Sequence, residues 1–282
     1  MMYEIGLSTT NYINEERFKE YQEAGIKYIE ISVRSEDYDN LSFESLKSWS
    51  EKYGVKIWSF HLPFCPFEKI DISRPELKDE SINYLCHFID EGAKIGIDKF
   101  VIHASGEPIS DDERKLRIEC AKNSLYELCE YAKERNAVIA VEDLPRSCLG
   151  RDSNDMLELL SAHKDLKSCL DTNHLLNENL VDYIKKIGDK IITTHISDYD
   201  KINERHWLPG EGIIDWQEVL KALEEINYKG IWLYEISFEC PGTIIRERKL
   251  NCFDFVRNAN EIFENKQITI FSKPKPNLGY WG

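Results

Sequence analysis

Several signals that would place a chain in a function class at once are missing here. No apolar run approaches the roughly 18 residues that a membrane-spanning helix needs, so a helical membrane protein is not expected. The start, MMYEIGLSTT, shows no basic segment followed by a long apolar stretch, and no secretory signal is read there. Eight cysteines (Cys65, Cys86, Cys120, Cys129, Cys148, Cys169, Cys240, Cys252) form no Cys-x-x-Cys pair. Neither a thiolate zinc site nor a disulfide framework is expected, and reduced thiols in the cytoplasm are the default. Positive charge is also short: 36 Lys and Arg face 51 Asp and Glu, for a net charge of −15. Nucleic-acid affinity comes mainly from cations that neutralise phosphates, so neither a nucleic acid nor an anionic membrane is an expected partner. Finally, GLSTTNY carries no glycine-rich phosphate turn after the first apolar run, which argues against a doubly wound dinucleotide fold.

What is present is an alternation. Short apolar, β-branched runs at 3–9, 28–33, 56–61, 98–103, 137–142, 167–171, 190–196 and 230–236 read as strands. Amphipathic stretches at 14–24, 42–53, 75–95, 111–135, 152–163, 179–188, 215–227 and 246–265 read as helices. Runs such as KFVIH and AVIAV are apolar almost throughout, as parallel strands buried on both faces should be. Gly25, Gly54, Gly96, Gly188 and Gly230 fall between a helix and the next strand, where glycine closes helices. Eight such units in 282 residues predict a single-domain (β/α)8 TIM barrel over 1–282, with 266–282 as an irregular tail anchored by Tyr280 and Trp281.

The ends of the strands carry the chemistry. Glu142, Asp171, His195 and Glu235 each close a separate apolar run, one βα unit apart. In a barrel they would meet at the mouth formed by the C-terminal ends of strands five to eight. Three carboxylates and an imidazole suit one divalent ion: Mn²⁺, Mg²⁺ or Co²⁺, with Zn²⁺ open because of the histidine. Taken singly, such a carboxylate also caps a following helix, and Asp171 before Thr172 is placed to do so. His61 and His103 end the third and fourth runs and are read as core histidines, substrate donors or ligands of a second ion. His174 either contacts substrate or closes its turn. The segment HISDYDKINERHWLPGEGIIDW reads as a long loop that either happens to carry a histidine or is a lid bringing His206, beside Trp207, back over the mouth, with Asp215 and Glu218 as a capping box for the next helix. Glu30 in YIEISV also ends a strand, as a pocket residue or the partner of a basic group. His87 and His163 fall within helices and are given no function. Trp58, Phe60, Phe64, Phe67 and Trp207 are candidates to stack on a sugar, Trp207 foremost; Arg146 and Arg246 are candidates to hold a phosphate or carboxylate, or are surface arginines.

Taken in order, VEDLP, DTNH, HISD, RHWLPGEGIIDW and the final Glu235 resemble the xylose isomerase-like TIM-barrel superfamily, which includes sugar epimerases, inosose and hydroxypyruvate isomerases and the apurinic endonucleases. The resemblance runs from GLST to LYEIS. It implies that Glu142, Asp171, His195 and Glu235 ligate the metal, that Glu142 and Glu235 double as the acid/base pair, and that His174 contacts substrate. His61, His103, His206 and Trp207 join it as substrate-binding candidates. The implied activity is a metal-dependent sugar isomerase or epimerase working through an enediolate on a small carbohydrate, with a second ion and a homo-oligomer left open. Two other readings stand beside it: a multi-metal phosphodiesterase, and a lyase resembling an inosose dehydratase. The endonucleases use an Asp-x-His pair after strand seven, where this chain has Glu204-Arg205-His206, which puts a third ion in doubt.

Overall fold

The structure is a computed structural model that describes residues 2–10, 13–276 and 278–280. Eight strands, β1 (Ile5–Ser8), β2 (Tyr28–Ile31), β3 (Lys56–His61), β4 (Lys99–Ile102), β5 (Val138–Glu142), β6 (Lys167–Asp171), β7 (Ile191–His195) and β8 (Trp232–Tyr234), pair in parallel in the order β7-β6-β5-β4-β3-β2-β1-β8. The last seam, between β7 and β8, is closed by a bridge from Ile196 to Tyr234 and by Thr194, whose hydroxyl donates to the Ile231 carbonyl. Helices α1 (Glu15–Ala24), α2 (Phe43–Tyr53), α3 (Lys78–Lys94), α4 (Asp111–Lys133), α5 (Ser153–Leu160), α6 (Leu180–Ile187), α7 (Trp216–Glu225) and α8 (Cys252–Phe263) complete the expected (β/α)8 barrel. No helix among the described residues is long and apolar enough to cross a membrane.

The apolar residues divide into two cores. Between strands and helices lie Phe18, Tyr21, Phe60, Phe100, Tyr234 and Phe255, all fully buried, each contributing roughly 1.5–3 kcal/mol. Inside the barrel a small cluster of Val101, Ala140 and Cys169, with Ile192 against it, fills the lumen. Two irregularities in the strand register steer what stands above that plug. One lies between Ile29 and Glu30 opposite β3 and passes over Trp58; the other lies between Ser168 and Cys169 opposite β7 and passes over Ile192. An extra residue in a strand turns every later side chain to the other face. Here the result is that Ser59, His61, Thr193 and His195 all face the lumen.

The C-terminal region departs from the sequence expectation. The helix expected over 246–265 does not begin at Arg246, which instead ends β9 (Ile244–Arg246); α8 starts at Cys252 behind a capping box of Asn251 and Asp254. The tail is not wholly irregular, because β10 (Ser272–Pro274) pairs antiparallel with β9. β-branched Thr243, Ile244 and Ile245 favour the strand, and the Asn251 cap sets where the helix begins. The expected capping box at α7 is half formed: Asp215 accepts from the Gln217 and Glu218 amides. Gly230 is not a left-handed closure either; a Cβ there would lie 2.6 Å from the Ile192 carbonyl, so glycine is required for close packing.

Candidate metal centre at the barrel mouth

β5, β6 and β7 end on Glu142, Asp171 and His195, and Glu235 directly follows β8. One ligand atom from each lies within 4.8 Å of all the others. The ring nitrogen Nδ1 of His195 is 3.1 Å from Glu142 Oε1, 3.5 Å from Glu235 Oε2 and 3.9 Å from Asp171 Oδ2. Its other nitrogen, Nε2, lies 2.9 Å from Glu30 Oε1, and the Ser59 hydroxyl donates to Glu30 Oε2 at 2.7 Å.

Asp171 serves two ends at once. Its Oδ1 accepts the Asn173 amide at 2.7 Å and so shapes the turn after β6, as a capping carboxylate would. Its Oδ2 is buried and makes no hydrogen bond among the described residues. Burial, with Glu235 and Glu142 close by, pushes its carboxyl up to about 7. At Glu142 burial acts in the same direction, but His195 and His103 outweigh it and hold the group well below the usual carboxylate range. Burial opposes a charge on His195, yet the surrounding acids, Glu235, Glu30 and Glu142 among them, raise it well above its ordinary value. Three acids and an imidazole packed this tightly call for a cation among them. The orphaned Oδ2 of Asp171 and the mixed oxygen and nitrogen donors fit a divalent ion.

Two further groups flank this quartet. His61 Nε2 and His103 Nε2 approach Glu142 Oε2 at 3.0 and 3.2 Å. On the other side His174, Glu204 and His206 come together, with His174 Nε2 at 3.2 Å from Glu204 Oε2. Backbone carbonyls set the tautomers: His61 Nδ1 donates to Leu62, His174 Nδ1 to Asp143 and His206 Nδ1 to Glu235, which leaves each Nε2 for other partners. Phe64 lies against His103, with ring centroids 4.2 Å apart.

The loop after β7 is held by residues whose roles the sequence did not single out. Asn173 Oδ1 accepts the amides of Arg205 and His206. Asp198 gathers the amides of Tyr199, Gly210 and Ile214 and the indole of Trp216. A Cβ on Gly212 would lie 2.3 Å from both Asp198 Oδ1 and the Tyr199 carbonyl, so only glycine fits. The Arg205 guanidinium donates to Asp200 and to the carbonyls of Gly279 and Tyr280. Tyr280 thus anchors the tail through its backbone; Trp281 lies outside the described residues.

Some expected pocket residues are elsewhere. Trp207 is 1% exposed, with its indole donating to Thr243, so it offers no face for stacking. Its backbone is held in an antiparallel bridge with Asp198, and its ring lies under the loop. Trp58 lies at the floor of the barrel, donating to Thr193 beneath the Lys99 ammonium, because it is the extra residue of the β3 irregularity. Phe60 is outer core, stacked between Phe43 and Phe88. Arg146 is paired with Glu107 and Glu204, and Arg246 with Glu211.

Residues 18–250 match the family described as Xylose isomerase-like TIM barrel, and the chain belongs to that family. A D-psicose 3-epimerase of Enterocloster bolteae is 32% identical over 152 residues, covering 50% of this chain and 47% of that one. A fructoselysine 3-epimerase of Escherichia coli is 30% identical over 119 residues, 40% of this chain and 43% of its own length. The chain thus spans about half the length of the curated relatives it matches. A solved D-tagatose 3-epimerase-like protein superposes with a TM-score of 0.76 at 22% identity over 93% of this chain and 96% of that one, a likeness of fold.

Proposed function

We propose that the protein is a divalent-metal-dependent epimerase or isomerase of a small ketose, with Glu142, Asp171, His195 and Glu235 as metal ligands. The observation that carries this reading is the pair of carboxylates, Glu142 and Glu235, flanking His195 Nδ1 at 3.1 and 3.5 Å with the unpartnered Asp171 Oδ2 beside them. A divalent ion held there would stabilise the negative charge that develops on a carbonyl oxygen as the neighbouring carbon loses a proton. Glu142 and Glu235 are the groups to remove and return that proton. Burial raises both carboxylates, but His195 beside them outweighs it and holds both below the usual carboxylate range, so each stands ionised and able to accept a proton. His206, whose Nδ1 is taken by a backbone carbonyl, and His174, whose Nε2 faces Glu204, are suited to hold substrate hydroxyls. The two named 3-epimerases among the relatives favour carbon 3 of a ketose as the reacting centre.

The substrate we assign is unphosphorylated. Arg146 and Arg205 each already serve carboxylates, and the chain is strongly acidic. The test is a panel of free ketoses and ketose phosphates incubated with Mn²⁺ in deuterated water. Solvent deuterium at carbon 3 of a free ketose is the expected result, and exchange confined to phosphorylated sugars would overturn the assignment.

A second reading, a multi-metal phosphodiesterase, rests on the two flanking ligand groups, His61 with His103 and Glu142, and His174 with Glu204 and His206. The net charge of −15 weighs against a DNA substrate. Metal-dependent nicking of an abasic duplex, with no exchange in any sugar, would replace the first reading by this one.

A further inference from the structure

We infer that Glu30 is a positioning residue for the metal centre: anchored by Ser59, its carboxylate fixes His195 in the tautomer that turns a bare Nδ1 toward Glu142, Asp171 and Glu235. The inference deepens the metal reading above and rests on it.

The geometry is built by the strands. The register shift, which passes over Trp58 of β3, pairs Ser59 with Glu30 and turns the serine into the lumen beside it, across from β7. Glu30, Ser59 and His195 are all fully buried. Both oxygens of Glu30 are engaged, Oε2 by the Ser59 hydroxyl at 2.7 Å and Oε1 by His195 Nε2 at 2.9 Å. A buried carboxylate offers only acceptors here, so the proton of a neutral His195 resides on Nε2. Nδ1 then carries a lone pair, and it faces Glu142 Oε1 at 3.1 Å. In the ion-free site a proton on Nδ1 bridges this contact as a hydrogen bond; a bound ion would displace that proton and take up the lone pair. The carboxylate behind the ring thus commits the histidine to being a ligand and strengthens it as a donor, while Ser59 stops the carboxylate from rotating away.

The experiment measures ion binding rather than turnover. Co²⁺ affinity is determined by competition with a chromophoric chelator, and the visible bands of the bound ion are recorded, for the wild type, Glu30→Gln and Ser59→Ala. Glu30→Gln is expected to weaken Co²⁺ binding about 10–100-fold and to shift the bands. Ser59→Ala, which removes one neutral hydrogen bond, is expected to weaken it about fivefold. Wild-type affinity and an unchanged spectrum in both folded variants would overturn the inference alone; a wild type that takes no Co²⁺ would overturn the metal reading and this inference with it. If Glu30→Gln does not fold, Ser59→Ala decides, since it deletes a single buried hydroxyl.

Discussion

The quartet on the strand ends and the trio on the loops are neighbours built in different ways. Glu142, Asp171 and His195 are the last residues of three strands, at most 1% exposed, and their backbones are locked in the barrel ladder. Glu204 and His206 stand on a loop, with side chains 31% and 36% exposed, and His206 adopts a left-handed backbone at φ 50°. The loop keeps its shape through contacts from elsewhere: Asn173 after β6, Asp198 within it, and the tail carbonyls on Arg205. The barrel holds the first group as a consequence of being a barrel. The second group needs its own scaffold, so it is the more adjustable part of the site.

The largest effects are expected in the quartet. Glu142→Gln and Glu235→Gln should each lower kcat by about 10³-fold while circular dichroism stays unchanged. A residual rate near wild type for either would remove that carboxylate from proton transfer. Next comes the pH dependence of ion loading. Asp171 is pushed up to about 7 and His195 is raised well above its usual range, so both carry protons in the free site near neutrality and must release them to become ligands. Loading should therefore weaken as the pH falls from 8 to 6, most steeply below about pH 7 where Asp171 takes up its proton, approaching tenfold per pH unit for each proton bound in the free site, with proton release visible in calorimetry. Affinity independent of pH across that window would contradict the assigned ligands.

The loop should respond more mildly. Removing residues 276–282, which takes away the carbonyls that Arg205 binds, should raise KM about tenfold, equivalent to roughly 1.4 kcal/mol, and leave ion stoichiometry unchanged. Loss of the ion on truncation would erase the distinction between the two groups. Smallest in function is Gly212→Ala, which crowds Asp198; it should cost roughly 1–3 kcal/mol of stability in denaturant unfolding, with kcat little changed.

The same division governs what was legible from sequence. Strand-end residues can be read because a buried apolar run that ends in Glu, Asp or His puts a group there that burial penalises unless it finds a partner. Glu142, Asp171, His195 and Glu235 do converge. The expected eight-strand order and all eight helices are present as well. The loop is harder to read, because nothing in ERHWLPGEG says that Trp207 turns under while His206 turns out. Nor does the pattern reveal the extra residues at Trp58 and Ile192, since an apolar run looks the same with or without one. That is why Trp58 reads as a pocket residue and lies on the floor, and why the pairing of Glu30 with His195 emerges only from the register. The β9–β10 ribbon was hidden for a related reason: it pairs segments about 25 residues apart across a helix.

Elemental analysis of the purified protein, never exposed to chelator, tests the strand-end centre most directly, with Asp171→Asn measured beside the wild type. About one divalent ion per chain in the wild type, and its loss in the variant, is the predicted result. A wild type free of metal, or an Asp171→Asn protein that retains a full equivalent, would contradict the claim that the four strand ends form one metal site.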